Sequence, residues 1–543
     1  GSYSRKDNGR IEKDFKANTK SGKKLKSKKA GDNVFIIEKA DQLYKIEYWV
    51  DDTWDAPEDK FIFQPGGTNI QDKKNFVINH QGFYGYLEGY KNIPYSVTYY
   101  KPSGFYSTTA LKIDRNEDRD KVYAENYVKL VDNPVMICKP DTLSFKVSNM
   151  RVFISIYSDF GIVKSQSVKK AIEPIALALE SFFTTLPVEE YYFIMYFPKY
   201  ANTGVTRYGG FGALEHSYCS FYFLPESDIE ERLISMIRDV AAHEFLHILT
   251  PLNIHSEEIE NFDFRHPKMS QHLWMYEGVT EYFSHLIQVR SKLIDEEDFY
   301  FEMSNKISRA AEYKDVSFTK MSKHVLEETY NKMYSNVYQK GALIGFLLDI
   351  RLHEISSGKR GLRELMMDLA KMYGPAKPFK DDLLFNDIAK ITGQEIMPFF
   401  NDYVIGDKPL PYKEYFMKIG LDYHTEIVKD EYFFADIKFA TLGNGDIIAY
   451  INKNGENNTE LISGDILKKL DGKEIYKESK DILKALSDPK SDKEITLVIN
   501  RKNQEITIVC KPIIKKVKYT NYIERNPKAT QEQIQLLNVL LAL

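Results

Sequence analysis

Between residues 31 and 162, short runs of β-branched and aromatic residues (NVFII, YKIEYWV, KNFVINH, YSVTYY, TLSFKV and RVFISIYS) are separated by turns rich in Gly, Pro, Asn and Asp. That rhythm predicts an N-terminal β domain, sandwich-like in build. Its tyrosine-rich segment FYGYLEGYKNIPY reads better as aromatic strands packing on one another than as a binding surface. From 163 to 408 the period lengthens to that of helices: SQSVKKAIEPIALALESFF repeats apolar residues at helical spacing, PVEEYYFIMYFP returns briefly to a strand, and amphipathic helices follow. From 409 to 518 strands return, with DIIAYI, the turn-rich SGDILKKLDGKEI, a helix-like KESKDILKALSD, and the pair EITLVINRKNQEITIVC folded about a hairpin-sized turn. The expected fold class is multidomain α+β, with residues 519–543 as a C-terminal tail.

Residues 1–30 fit no apolar period and are crowded with lysines, so a basic, flexible lead-in is expected there. Over the whole chain 74 basic residues face 78 acidic ones, a net charge of -4, which leaves no field to hold nucleic acid or an anionic membrane. Three widely spaced cysteines, Cys138, Cys219 and Cys510, form neither a disulfide framework nor a metal-binding pair. The densest apolar run, GALIGFLLDI at 341–350, is too short for a transmembrane segment and reads as buried helix. The chain opens Gly-Ser rather than Met, which leaves a removed leader or lipid anchor open.

The chemistry gathers in the helical stretch. In AAHEFLH, 241–247, His243 and His247 stand four residues apart, so on a helix two imidazoles share one face and can hold a zinc ion, while Glu244 is placed to act as general base toward a water. The competing reading is an ordinary amphipathic helix with two satisfied core histidines. Ser227 and Glu230 have the spacing of a capping box, and Leu233, Ile234, Ile237, Val240, Ala241 and Leu249 carry the apolar pattern to Pro251, where the helix must stop. A catalytic zinc needs a third protein ligand, and LWMYEGVTEYF, 273–283, offers Glu277, with Glu281 one turn later able to accept the outer N–H of a ligand imidazole. Asp239, four residues before His243, either supports the site or faces water.

HEFLH, EGVTE, GGFGALEHSYCS at 209–220 and YQKG at 338–341 together resemble the glycyl aminopeptidase family of gluzincin zinc metallopeptidases. The resemblance implies an N-terminal β domain, a thermolysin-like, mainly helical catalytic domain with a small edge-strand sheet, and a C-terminal PDZ-like β domain, for which Ser463 to Ile475 is a characteristic phrase. It implies one Zn2+ per chain on His243, His247 and Glu277, and a transition-state tyrosine at Tyr338, with Tyr334 a weaker substitute. It also implies an edge strand through Gly212 and Ala213 that aligns the peptide, with Glu215 binding the free α-amine. The expected activity is removal of N-terminal residues, small ones such as Gly or Ala foremost, from peptides with a free N-terminus. Leu214 and His216 depart from the Met and Asn of more distant aminopeptidases, which loosens the inference from Glu215 to strict exopeptidase action. An endopeptidase of the same fold and an idle peptide-binding protein are the rival readings.

Of the other histidines (His216, His255, His266, His272 and His285), His255 either supports the site or makes a loop contact, and His272 and His285, which flank the Glu277 turn, read as structural. Arg207 reads as a surface or paired arginine. The PDZ-like module either captures a peptide ligand or packs on the catalytic unit; KIGLDYH, 418–424, is only a loose match to a carboxylate-binding loop. The family implies an extracytoplasmic location, periplasmic, cell-surface or secreted.

Overall fold

A computed structural model describes residues 7–55, 62–183, 186, 188–199, 210–227, 230–375, 377–442, 445–453, 455–476 and 480–543. From residue 7 on, the basic N-terminal stretch is built into the fold, which corrects the expectation of a flexible lead-in there. Strand Glu12–Asn18 pairs antiparallel with Lys24–Leu25 and with Lys45–Val50, and Phe15 stacks on Phe35 at 3.9 Å. A register shift between Lys13 and Lys16, with Asp14 at positive φ, breaks the alternation of the strand, so both lysines stay in water while Ala17 is buried, an arrangement that lysine-rich composition disguises.

The N-terminal part is β-rich, organised as small antiparallel sheets. Tyr95–Tyr100, Lys112–Arg115 and Arg119–Ala124 form one; Asn69–Gln71, Asn75–Ile78, Val135–Cys138 and Tyr106–Thr108 form another. Val97, Tyr99, Phe105, Val122, Leu130 and Ile137 pack between them.

The boundary with the next part falls earlier than residue 162. Asp141–Val147 and Met150–Ser158 belong to a five-stranded sheet that continues through Glu190–Phe197 and Cys219–Phe223 to Gly212–Glu215 at its edge. Met150–Ser158 and Glu190–Phe197 run parallel, which requires a crossover, and helix Ser165–Phe183 supplies it. Burial follows this topology: Val152, Ile154, Phe193, Met195, Phe221 and Phe223 are all withdrawn from water. Beyond the sheet the chain is largely helical. Glu230–Leu246, Thr280–Arg290, Glu296–Ala310 and Asn336–Ile355 are the helices that carry the site. GALIGFLLDI lies buried within the last of these, and among the described residues no helix is long and apolar enough to cross a membrane.

The chain divides into two compact units, the second being Tyr423–Ile523. This differs from a module over 409–518: helix Tyr412–Lys418 lies before the second unit, and strand Ile513–Arg525 carries the chain out of it to helix Gln531–Leu541, which belongs to the first unit. Inside the second unit, strands Ile437–Thr441, Ile447–Ile451, Ile466–Leu470, Ile495–Arg501 and Gln504–Cys510 form an antiparallel sheet in that order. Lys502 and Asn503, both at positive φ, close the last hairpin. Ile447, Ala449, Leu467, Leu497, Ile499 and Ile508 make its core, and fully buried Asp465 is neutralised by Arg501 at 2.7 Å.

Candidate metal centre

Helix Glu230–Leu246 ends at the motif, and its last turns are packed on all sides: Ala241, Ala242, Phe245 and Leu246 are buried. The Ser227–Glu230 capping pattern spans residues 228 and 229, which lie outside the described residues. His247 stands just past the helix, and its Nδ1 hydrogen-bonds the Thr250 carbonyl at 2.9 Å, which leaves Nε2 pointing inward.

Glu277 arrives on a π-helical turn, Trp274–Val279, that opens helix Thr280–Arg290. The wider turn is a frequent device at functional sites, because it re-aims side chains without ending the helix. Glu277 Oε2 lies 3.3 Å from His243 Nε2 and 3.7 Å from His247 Nε2. The three side chains are buried, and their facing atoms lie within 4.8 Å of one another. A tetrahedral zinc with ligand bonds of about 2.0–2.1 Å separates neighbouring ligand atoms by roughly 3.3 Å, so the donor set and its spacing fit that ion.

Around this cluster the charges are paired in a definite order. Glu281 Oε2 lies 2.6 Å from His243 Nδ1, the outer face of the imidazole. Burial works against a charged His243, but Glu277 and Glu281 outweigh it and raise its pKa to about 10; burial drops that of His247 to about 3. Glu277, despite burial, is drawn down to about 2 by the two histidines. Glu244 is pushed up to about 7 by burial, with His243 opposing and Glu277 adding to the rise. Glu244 Oε2 is buried and has no hydrogen-bond partner among the described residues. Glu215, also buried, shares a 4.8 Å cluster with Glu244 and His247.

Residues 236–344 match the family model described as M61 glycyl aminopeptidase, and residues 1–139 match that of the Peptidase M61 N-terminal domain. These two stretches are thus similar to the two parts of an M61 peptidase. A crystal structure of an aminopeptidase N family protein from Idiomarina loihiensis is 18% identical, with 100% of this chain and 93% of that chain covered at a TM-score of 0.68, and it shares the fold. A variant of the M1 zinc metallopeptidase from Deinococcus radiodurans is 12% identical, covering 73% of this chain and 86% of that chain at a TM-score of 0.48. No curated protein matches.

The site is also shaped by residues that spacing does not reveal. A Cβ on Gly278 would stand 2.6 Å from the Gly341 carbonyl, and one on Gly341 would stand 2.9 Å from Gly278 Cα. Paired glycines therefore let the Glu277 turn touch the backbone of the helix that carries Tyr338. The Tyr338 ring lies 5.5 Å from the His243 ring, centroid to centroid, and its hydroxyl is 2.7 Å from that of Tyr334. At the sheet edge, a Cβ on Gly212 would meet Phe63 at 2.8 Å, and one on Gly210 would overlap the side-chain amide of Gln64, so these glycines make room for the N-terminal domain. Ala213 is half-buried on that edge strand, opposite Tyr222.

His216 is tied to Asp132, 3.6 Å away, while the Ser217 N–H donates to the same carboxylate at 3.2 Å. His255 bonds Glu260 at 2.9 Å, His272 bonds the Asp381 carbonyl at 2.7 Å, and His285 lies 3.4 Å from Glu281. Asp239 faces Arg238, and His266 sits in an exposed turn. Arg207 lies outside the described residues. Lys306, which no motif singles out, is buried against Glu281.

Proposed function

We propose that this chain is a zinc-dependent aminopeptidase of gluzincin type that releases the first residue of peptides with a free N-terminus. The observation that carries the reading is the convergence of His243, His247 and Glu277, all buried, at zinc-ligand spacing. One zinc ion held there supplies a Lewis acid for the scissile carbonyl and acidifies a water.

Glu244 acts as general base, taking the proton of the attacking water and delivering it to the departing amine. Its unpartnered, buried oxygen and its pKa near 7 support that assignment. Tyr338 donates its O–H to the oxyanion without adding a full charge. Glu281 holds His243 by its outer nitrogen, so that the other nitrogen faces the metal. Glu215, on the edge strand with Gly212 and Ala213, draws the α-ammonium and limits cleavage to one residue, small first residues such as Gly or Ala being favoured. The C-terminal unit is PDZ-like, a fold that in general takes a peptide by strand addition.

Hydrolysis of free and N-acetylated short peptides by the zinc-loaded protein, with Glu244→Gln as control, tests the reading. Free peptides are expected to lose their first residue, acetylated ones to persist and E244Q to be inactive. Internal cleavage of blocked peptides would replace it with an endopeptidase, and no cleavage with a peptide-binding protein.

A further inference from the structure

Helix Glu296–Ala310 is anchored at its start by Asp295, whose side chain accepts from the Asp298 N–H at 2.8 Å. One face of it, Phe299, Met303 and Ile307, packs into the apolar interior. Lys306 lies on this helix and is only 6% exposed. Burying an ammonium is costly unless a specific charge compensates it. The compensation is Glu281, whose Oε1 is 2.5 Å from Lys306 Nζ. The same ammonium points to the Tyr338 carbonyl at 3.4 Å.

Glu281 thus divides its two oxygens: Oε2 receives His243 Nδ1, and Oε1 receives Lys306, with His285 Nε2 at 3.4 Å beyond. We infer that Lys306 is a positioning residue for the metal centre, holding Glu281 as a fixed acceptor for His243 and tying it to the backbone that carries Tyr338. Resting on the peptidase reading, this gives three elements of separate sequence origin, the motif helix, the Glu277 helix and the Tyr338 helix, one common cation. Lys306 touches no reacting group; it acts through Glu281. A shell of this kind affects metal affinity and activity by about 10–100-fold when a member is removed.

The test measures zinc affinity by chelator competition, together with kcat and KM, for the full chain and for Lys306→Gln, Lys306→Arg, Glu281→Gln and the K306Q/E281Q pair. K306Q is expected to weaken zinc binding about 10–100-fold and to lower kcat more than it changes KM, whereas K306R, which keeps the charge, stays within about threefold of the parent. Because Lys306 acts through Glu281, the double variant is expected to lose no more than E281Q alone.

Zinc affinity of K306Q within twofold of the parent, or additive losses in the double variant, overturns the inference. So does an equal fall in melting temperature with and without zinc, which marks a merely structural lysine. If K306Q does not fold, E281Q carries the test, since an E281Q chain that binds zinc like the parent removes the route by which Lys306 acts. A parent that binds no zinc at all is a failure of the peptidase reading, and is recognised as such before any variant is compared.

Discussion

Tyr338 and Glu215 carry the two most specific expectations at the scale of single residues. The Tyr338 hydroxyl shares a 2.7 Å contact with Tyr334, whose own phenol is pushed well above its usual pKa by burial first and by Tyr338 next. Burial thus keeps the Tyr334 phenol a neutral donor, and the Tyr338 ring lies against His243. Tyr338→Phe is expected to lower kcat about 10²–10³-fold with KM little changed, the signature of a donor used mainly in the transition state; a variant with parental kcat moves that role to Tyr334. For Glu215→Gln the expected change is the reverse, a rise in KM of about 10–100-fold for free peptides and weaker discrimination against acetylated ones, because an attraction to a charged amine is lost before chemistry begins. An unchanged preference for the free amine removes Glu215 from substrate recognition. The convergence of His243 and His247 was legible from the sequence because an i, i+4 relation on a helix is local. Lys306 and Gln64 were not, because their partners stand 25 and 146 residues away and nothing periodic links them.

At the scale of elements, the contact between the Glu277 turn and the Tyr338 helix decides whether the site assembles. It depends on two glycines that read in the sequence only as parts of EGVTE and YQKG, and whose shared reason, backbone against backbone, appears only in three dimensions. Gly341→Ala would place a methyl 2.9 Å from Gly278 Cα and 3.4 Å from the Phe318 ring, so the turn or the helix must move. The expected cost is about 1–3 kcal/mol in stability, with weaker zinc binding because Glu277 rides on the displaced turn. Melting curves with and without zinc check both parts, and a G341A chain that matches the parent in each shows the contact to be looser than the geometry states. The π-helical turn was hidden for a different reason, since a helical period of apolar residues does not register one widened turn. The β-to-helical boundary was misplaced because Met150–Ser158 looks like any strand, and only its parallel pairing with Glu190–Phe197, across an intervening helix, assigns it to the second sheet.

For the whole molecule, the division into a β-rich beginning, a helical middle and a C-terminal β sheet followed directly from periodicity, while charge misled at the N-terminus, where lysines on the wet face of a strand looked like disorder. Charge state also sets how the fold should respond to acid. His80, in the N-terminal β-rich part, hydrogen-bonds the Asn133 carbonyl at 2.6 Å, and His272, beside the Glu277 turn, bonds Asp381. Burial is the leading cause that lowers both pKa values to about 4, against an ordinary 6.5. Between those values the unfolded chain binds protons at both positions and the folded chain does not, so stability rises with pH across the window. The contribution is complete above pH 6.5 and is lost as pH falls toward 4, by up to about 3 kcal/mol for each group at 1.36 kcal/mol per pH unit. The melting temperature of the full chain is therefore expected to fall steeply between pH 6.5 and 4. An H80Q/H272Q double variant is expected to start less stable at pH 7 and to fall less. A parental melting temperature that is flat across this interval, or a double variant with the same slope, would show that neither imidazole is held neutral by the fold.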